Sequence, residues 1–147
     1  MTIREADQHD FFACLEVLPK NFRAPDFESR LGHQLLRDYV FVAIDDHGKV
    51  MGFLACDADF FDVDGFYLRT TVVKQEYGDK GVAEALVRHV TRWAFAHNCR
   101  RVFVDVTEPA LARRLEKGGF EKICEFKHMH AEDVVYHIYS LKAGSEI

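Results

Sequence analysis

The chain has 147 residues, of which 48% are apolar and 29% are charged, and its formal net charge at pH 7 is −5. This length and composition predict one soluble globular domain over residues 1–147. The acidic balance argues against nucleic acid as a partner, and no apolar run is long enough for a membrane span. The four widely spaced cysteines form no CxxC pair, which favours a reducing cytoplasm and argues against a zinc site or a disulfide framework.

The first part of the chain predicts a strand, two helices and a hairpin. Asp7 is placed to cap the first helix, and Pro19 ends it. In chain order the elements are the strand Thr2–Glu5, a helix with Phe11, Phe12, Leu15 and Leu18 near helical spacing, a helix from about Asp26 to Asp38, and the strands Tyr39–Ile44 and Val50–Cys56 around the turn Asp45–Lys49.

The rest of the chain alternates strands and helices and ends in a hairpin. The elements are the strand Phe66–Val73, a strongly amphipathic helix from about Gly81 to His97, the strand Arg101–Val106, the helix Pro109–Lys117, and the strands Phe120–His128 and Val134–Leu141. We expect the strand Val134–Leu141 to be exposed. It is then available to pair with another chain, so the protein is a monomer or a homodimer.

The turn Tyr77–Ala83 is the most informative segment, because it joins a predicted strand to the start of the amphipathic helix. A helix start leaves backbone N–H groups without intrahelical acceptors and carries the positive end of the helix dipole. Such a turn is an anion site, and a phosphate-bearing ligand is the first hypothesis.

Three local signals stand out in this element order: the segment Val73–Leu86, the helix Ala83–His97 followed by the strand Arg101–Val106, and the segment Leu115–Phe120. Together with the element order, they resemble the GNAT superfamily of acyl-CoA-dependent N-acyltransferases. The first segment is similar to the family's acetyl-CoA signature, in which a strand ends in Val and a glycine turn opens a helix, and the last is similar to the family's Leu-Tyr-x-x-x-Gly-Phe pattern. The predicted elements match the family's order from the first strand to the last.

The resemblance implies an α/β fold with a mixed, mostly antiparallel sheet of about seven strands, flanked by four helices. It also implies that the strands 66–73 and 101–106 splay apart, so that backbone groups near Val73 pair with the pantetheine of acetyl-CoA. The residues implied in binding this co-substrate are Val72, Val73, Gly78, Asp79, Lys80, Gly81, Val82 and Ala83.

The chain departs from the family pattern at three places. Gly78 stands where the family usually has Arg or Gln, which removes a side-chain contact to phosphate. Leu115 stands at the position of the family's frequent general acid, a tyrosine, and Thr107-Glu108-Pro109 replaces a common Asn. Asp79 adds a negative charge, and its alternative role is the N-cap of the following helix.

Candidate catalytic residues lie on the central strand and the last hairpin. Tyr67 occupies about the position where some family members carry a catalytic Glu, and its alternative role is cross-strand packing. Strand alternation predicts that Arg69 and Thr71 share its face. His128 suits proton transfer near neutral pH, although a solvated surface histidine is the alternative.

The acceptor side is less defined. Phe22 and Arg23 lie between the first two helices, a connection that borders the acceptor channel in similar proteins, so they are candidate substrate-binding residues. The acidic run Asp57–Asp64 lacks EF-hand spacing, and we expect no metal. The resemblance implies transfer of an acetyl group from acetyl-CoA to a primary amine of a small molecule or protein. The alternatives are an acyl-CoA-binding or protein-interaction module without turnover, and a purely structural domain.

Overall fold

The computed structural model describes residues 1–18, 39–57, 65–78, 80–127 and 135–144. Within them, seven strands form one sheet in the order β1-β2-β3-β4-β5-β7-β6. The strands are β1 (Thr2–Glu5), β2 (Val40–Ile44), β3 (Val50–Asp57), β4 (Phe66–Val73), β5 (Arg101–Val106), β6 (Glu121–Lys127) and β7 (Val135–Lys142).

Three α-helices lie among the described residues: α1 (Phe11–Val17), α2 (Val82–Ala96) and α3 (Pro109–Lys117). The helix predicted for residues 26–38 falls outside them. Asp7 caps the chain as predicted, but the cap opens a 3-10 turn at Gln8–Asp10 that leads into α1. None of the described helices combines the length and apolar character needed to cross a bilayer.

The sheet is covered on both faces, and each face has its own apolar cluster. α2 and α3 pack on one face, where Phe66, Leu68, Val102 and Val104 are fully buried. Trp93 of α2 anchors this layer, with its ring centroid 4.8 to 5.6 Å from those of Tyr39, Phe41 and Phe66.

The opposite face is covered by α1, whose Cys14, Leu15 and Val17 pack on Val42 and Phe53. The prediction that Phe12 belongs to the apolar face of this helix is wrong, because its side chain is 74% exposed. Phe12 stacks edge-on against Phe11 instead.

β4 and β5 are parallel neighbours, whereas the other adjacent pairs of the sheet are antiparallel. Their pairing covers Phe66–Leu68 against Val102–Val104. β4 then continues to Val73 and β5 to Val106 without further pairing between them. The predicted α/β fold, with a splay between these two strands, is confirmed.

β4 contains a bulge at Arg69 that reverses the side-chain alternation. Ala55 of β3 opposes Thr70, whereas the next residue, Cys56, opposes Leu68, so Arg69 is the extra residue. Directly opposed residues share a face of the sheet. Thr71 opposes Leu54 on the α2 face and Tyr67 opposes Asp57 on the α1 face. The prediction that Thr71 shares the face of Tyr67 is therefore wrong.

The predicted exposure of the last strand is also wrong. β7 lies between β5 and β6 and pairs with both of them. The edge of the sheet on this side is β6, in which Ile123 is 50% exposed. A strand-pairing partner therefore cannot add to β7.

Candidate functional site

A short connection joins β4 to α2. It runs from a 3-10 turn at Gln75–Tyr77 through the exposed Gly78 to Gly81, which occupies the N-cap position of α2. Gly81 has φ = 72°, a left-handed conformation in which L side chains are strained. Gly78 has φ = −59°, so its backbone does not require glycine.

The start of α2 presents open backbone donors. Its first intrahelical bond runs from the Ala85 N–H to the Gly81 carbonyl at 3.0 Å. The N–H groups of Val82, Ala83 and Glu84 therefore lack an intrahelical acceptor, and Gly81 has no side chain to cap them. Gly81 holds the N-cap position of α2, and Asp79, whose alternative role was that cap, lies outside the described residues.

The turn is fixed to the β2–β3 hairpin. The Lys74 N–H donates to the Met51 carbonyl at 2.8 Å, and the Tyr77 hydroxyl donates to Asp45 Oδ2 at 3.2 Å. The hydrogen bond from the Lys49 N–H holds the pKa of Asp45 below its ordinary value against the effect of burial, with smaller help from the His47 N–H and the Tyr77 hydroxyl. Lys80 Nζ lies 5.5 Å from the Tyr77 ring centroid. The positive charge of Lys80 is thus held beside the open helix start.

The splayed part of β4 carries the other residues that are predicted to bind acetyl-CoA. Val72 packs toward the α1 cluster and Val73 toward the α2 cluster, so these residues have only backbone groups to offer a ligand. Thr71 Oγ1 is buried and has no hydrogen-bond partner in the part of the chain that the structure describes. A buried hydroxyl without a partner costs about 1–3 kcal/mol, so its position beside the splay needs an explanation.

Tyr67 and Asp105 form a short hydrogen bond on the α1 face of the sheet. The Tyr67 hydroxyl lies 2.5 Å from Asp105 Oδ1 and donates to it. Burial and then the hydrogen bond to Asp105 raise the pKa of Tyr67 well above its ordinary value. In this contact the Tyr67 hydroxyl is the hydrogen-bond donor, and its catalytic role stays a prediction.

Asp105 is not among the predicted site residues, although the sequence contains a signal for it. In β5, Val102, Val104 and Val106 are buried and alternate with half-buried residues. That period of two places Asp105 on the same face as Phe103, away from α2 and α3. Phe103 opposes Tyr67 in the parallel ladder, so the polar pair bridges the point where β4 and β5 separate.

The other residues considered in the sequence lie away from the splay and the turn or outside the described residues. Leu115 is 2% exposed within the α2-side core, so it offers no proton donor. His137 Nδ1 lies 3.4 Å from Glu125 Oε1 on the outer strands. His128, Phe22 and Arg23 lie outside the described residues. Among the residues that are described, no three potential ligands are grouped to hold a metal ion.

Comparisons with known proteins agree with this geometry. A family model described as the acetyltransferase (GNAT) family matches residues 3–120. No curated protein matches the chain.

Solved structures share the fold over nearly the whole chain. An aminoglycoside 6'-N-acetyltransferase complexed with coenzyme A is 11% identical, with 100% of this chain and 99% of that chain covered and a TM-score of 0.80. A spermidine/spermine N-acetyltransferase from Vibrio cholerae is 13% identical, with 97% and 92% covered and a TM-score of 0.77. A GNAT-family acetyltransferase from Bacillus cereus is 17% identical, with 96% of each chain covered and a TM-score of 0.76.

The family match spans the splay, the turn and α2, which are the elements that the sequence resemblance singled out. It ends at Phe120, directly after α3. The chain belongs to the GNAT family of acetyltransferases.

Proposed function

We propose that the protein transfers an acetyl group from acetyl-CoA to a primary amine of a small molecule or protein. One observation carries this proposal: the end of β4, which no longer pairs with β5, is followed by the turn that opens into the start of α2. A ligand with amides at one end and phosphates at the other fits this succession of backbone groups.

In this proposal the acetyl-CoA molecule extends from the splay between β4 and β5 to the turn before α2. The backbone of Val72 and Val73 pairs with pantetheine, and the N–H groups at the start of α2 bind the pyrophosphate. Lys80 adds a charge-assisted contact that offsets the missing side chain at Gly78. Together, the residues assigned to the donor are Val72, Val73, Gly78, Asp79, Lys80, Gly81, Val82 and Ala83.

The chemistry needs a neutral amine, a polarised thioester carbonyl and a place for the departing thiolate. Backbone N–H groups on the splayed part of β4 can polarise the carbonyl, and the buried Thr71 hydroxyl is a further donor beside them. Alignment of the two substrates lowers the barrier further. A CoA thiol resembles cysteine, with a pKa near ~8.5, so its thiolate leaves without an obligatory acid at Leu115.

Small cationic amines are the first acceptors to test. The solved neighbours include enzymes named for aminoglycosides and for spermidine and spermine. Phe22, Arg23 and His128 stay predicted acceptor-side residues, and monomer or homodimer stays the predicted state.

Calorimetry with acetyl-CoA tests the donor site. We expect wild-type protein to bind, and Gly81→Glu to lose binding because a carboxylate then projects among the phosphate donors. Gly144→Glu is the matched control: Gly144 also has a positive φ of 92° and open space at its Cβ, but it follows β7 beside Arg100, at the opposite end of β5 from the splay. No binding by wild type, or unchanged binding by Gly81→Glu, would contradict the proposal.

The burial of Leu115 favours one alternative, a GNAT-fold module that binds acyl-CoA without turnover. Release of free CoA thiol with a panel of primary amines separates the two functions. Binding without thiol release on any amine would favour the alternative.

A further inference from the structure

The β2–β3 hairpin and the turn before α2 meet at Tyr77. The Tyr77 hydroxyl donates to Asp45 Oδ2 at 3.2 Å. The other carboxylate oxygen, Oδ1, accepts the N–H groups of His47 at 2.8 Å and Lys49 at 2.9 Å. Both oxygens of Asp45 therefore have partners, and the carboxylate is a fixed point to which the Tyr77 ring is attached.

Lys80 contacts Tyr77 through both its backbone and its side chain. The Lys80 N–H donates to the Tyr77 carbonyl at 3.2 Å. Lys80 Nζ lies 5.5 Å from the centroid of the Tyr77 ring, within the range of a cation–π interaction. An ammonium group has three N–H donors, so contact with the face of a ring leaves donors for an anion. The lysine charge is thus held one residue before Gly81, the N-cap of α2, and it still has donors to offer.

A restrained lysine binds an anion better than a free one. Lysine loses a large amount of side-chain entropy when it is ordered, and this loss weakens the contacts that it makes to a ligand. A lysine that is already restrained before the ligand arrives loses less. The Tyr77 ring supplies that restraint, and the hydrogen bond to Asp45 restrains the ring in turn.

We propose that Tyr77 and Asp45 are positioning residues that hold the Lys80 ammonium group where it binds the pyrophosphate of acetyl-CoA. Lys80 thereby replaces the side-chain contact that Gly78 cannot make. The assignment rests on the proposed function, because it needs acetyl-CoA to bind at this turn. It also gives the β2–β3 hairpin, which contributes no residue to the splay between β4 and β5, a part in the affinity for acetyl-CoA.

Calorimetry with three acyl thioesters tests the assignment. Acetyl-CoA has all the phosphates, acetyl-dephospho-CoA keeps the pyrophosphate but lacks the ribose phosphate, and acetyl-pantetheine has neither. We expect Lys80→Gln to weaken acetyl-CoA binding about 10-fold, the effect of a lost hydrogen bond to a charged group. Tyr77→Leu should weaken it about 5-fold and Tyr77→Phe about 3-fold, through loss of the cation–π contact and of the hydrogen bond to Asp45. All three variants should lose as much affinity for acetyl-dephospho-CoA and keep wild-type affinity for acetyl-pantetheine.

A double-mutant cycle separates positioning from a merely structural role. If Tyr77 acts through Lys80, Tyr77→Leu should have no further effect on acetyl-CoA affinity in the Lys80→Gln protein. General damage to the turn would instead add to the loss caused by Lys80→Gln, and it would weaken acetyl-pantetheine as well.

Two variants away from the turn are the controls. Lys142→Gln removes the same charge where β7 pairs with the start of β5, at the end opposite the splay. Tyr139→Phe removes the hydroxyl of a second tyrosine–carboxylate pair, in which Tyr139 donates to Glu116 Oε1 at 2.6 Å. Both variants should bind acetyl-CoA like wild type.

Several results would overturn the assignment while leaving the binding of acetyl-CoA in place. Tighter binding of acetyl-CoA by Tyr77→Leu would mean that the ring competes with the phosphates for Lys80, and unchanged binding would mean that the ring has no part in it. Additive losses in the double variant, or a Lys80→Gln loss that disappears with acetyl-dephospho-CoA, would contradict it equally. Absence of acetyl-CoA binding by wild type would overturn the proposed function as well.

Discussion

At the scale of single residues, the candidate site depends on one extra residue in β4. Without the bulge at Arg69, Thr71 and Tyr67 would face the same side of the sheet. With it, the Thr71 hydroxyl lies on the α2 face and the Tyr67 hydroxyl on the α1 face. The bulge therefore gives the two sides of the splay different chemistry, a donor hydroxyl on one side and a carboxylate on the other.

The unpartnered hydroxyl of Thr71 leads to a prediction in which stability and binding change in opposite directions. Thr71→Val keeps the shape of the side chain but removes a buried polar atom, so we expect the free energy of unfolding in urea to rise by about 1 kcal/mol. If the hydroxyl binds acetyl-CoA, the same variant should bind it about 3- to 10-fold more weakly, the value of one hydrogen bond.

Thr70→Val is the matched control for this test. Thr70 is the adjacent β4 residue on the other face of the sheet, where it opposes Ala55. We expect its acetyl-CoA affinity to equal that of wild type. A less stable Thr71→Val protein with unchanged acetyl-CoA affinity would remove Thr71 from the donor site.

At the scale of elements, the junction of β1 and α1 is fixed by one carboxylate. Asp10 accepts from Arg4 Nη1 at 2.8 Å and from Arg4 Nη2 at 3.0 Å, and it also accepts the Asp7 N–H at 2.9 Å. The Arg4 hydrogen bonds lower the pKa of Asp10 below its ordinary value, against the effect of burial. The folded state therefore favours the ionised carboxylate.

The lowered pKa fixes the sign of the pH dependence. The stabilisation by Asp10 is present above its unfolded pKa, near ~3.9, and is lost as the pH falls through the folded value. At pH 7 we expect Asp10→Asn to lower the free energy of unfolding by about 1–2 kcal/mol, because Arg4 is half exposed and its pairing is screened.

Urea unfolding at several pH values measures the effect. The difference between wild type and Asp10→Asn should shrink below about pH 4. Asp46→Asn, which alters a 92%-exposed carboxylate 3.4 Å from the N-terminal amine, should change stability little. A difference that is constant across the pH range would contradict the role of the Asp10 charge.

The bounds of the helices and strands can largely be predicted from the sequence. The side of the sheet on which the β4 side chains lie cannot. Apolar periodicity located β1 to β5, and the amphipathic pattern and Pro109 located α2 and α3 within a residue or two. The bulge at Arg69 has no local sequence signal, because it depends on the pairing register with β3. Simple strand alternation therefore puts Thr71 on the wrong face, and the contact between Tyr67 and Asp105, which are 38 residues apart in the chain, has no local signal either.

At the scale of the whole molecule, the neighbouring strands hold the parallel pair β4 and β5 in place. β3 pairs along β4 from Asp57 to Gly52, and β7 pairs along all of β5. Each splayed strand is thus held on its outer side, while the two inner edges do not pair with each other beyond Leu68 and Val104. The neighbours keep the gap open without a ligand, so we expect binding to need little rearrangement.

This preformed gap leads to a prediction for the intact protein. A ligand that binds only the folded state stabilises it by about 2.7 kcal/mol at 100 times its Kd. For a chain of 147 residues, that corresponds to a rise in Tm of about 5–10 °C. We expect acetyl-CoA to give this shift in differential scanning calorimetry. Acetyl-pantetheine, which has no phosphates, should give a much smaller shift at the same concentration.

Salt provides the internal control for the thermal shift, because exposed phosphate contacts weaken as the ionic strength rises. The shift with acetyl-CoA should fall between 0.05 and 0.5 M NaCl, roughly the range over which the Debye length drops below the size of the turn. The shift with acetyl-pantetheine should change little, since it depends on backbone amides in the splay. Equal shifts from the two ligands would mean that the start of α2 does not bind phosphate, and the donor would then be held by the splayed strands alone.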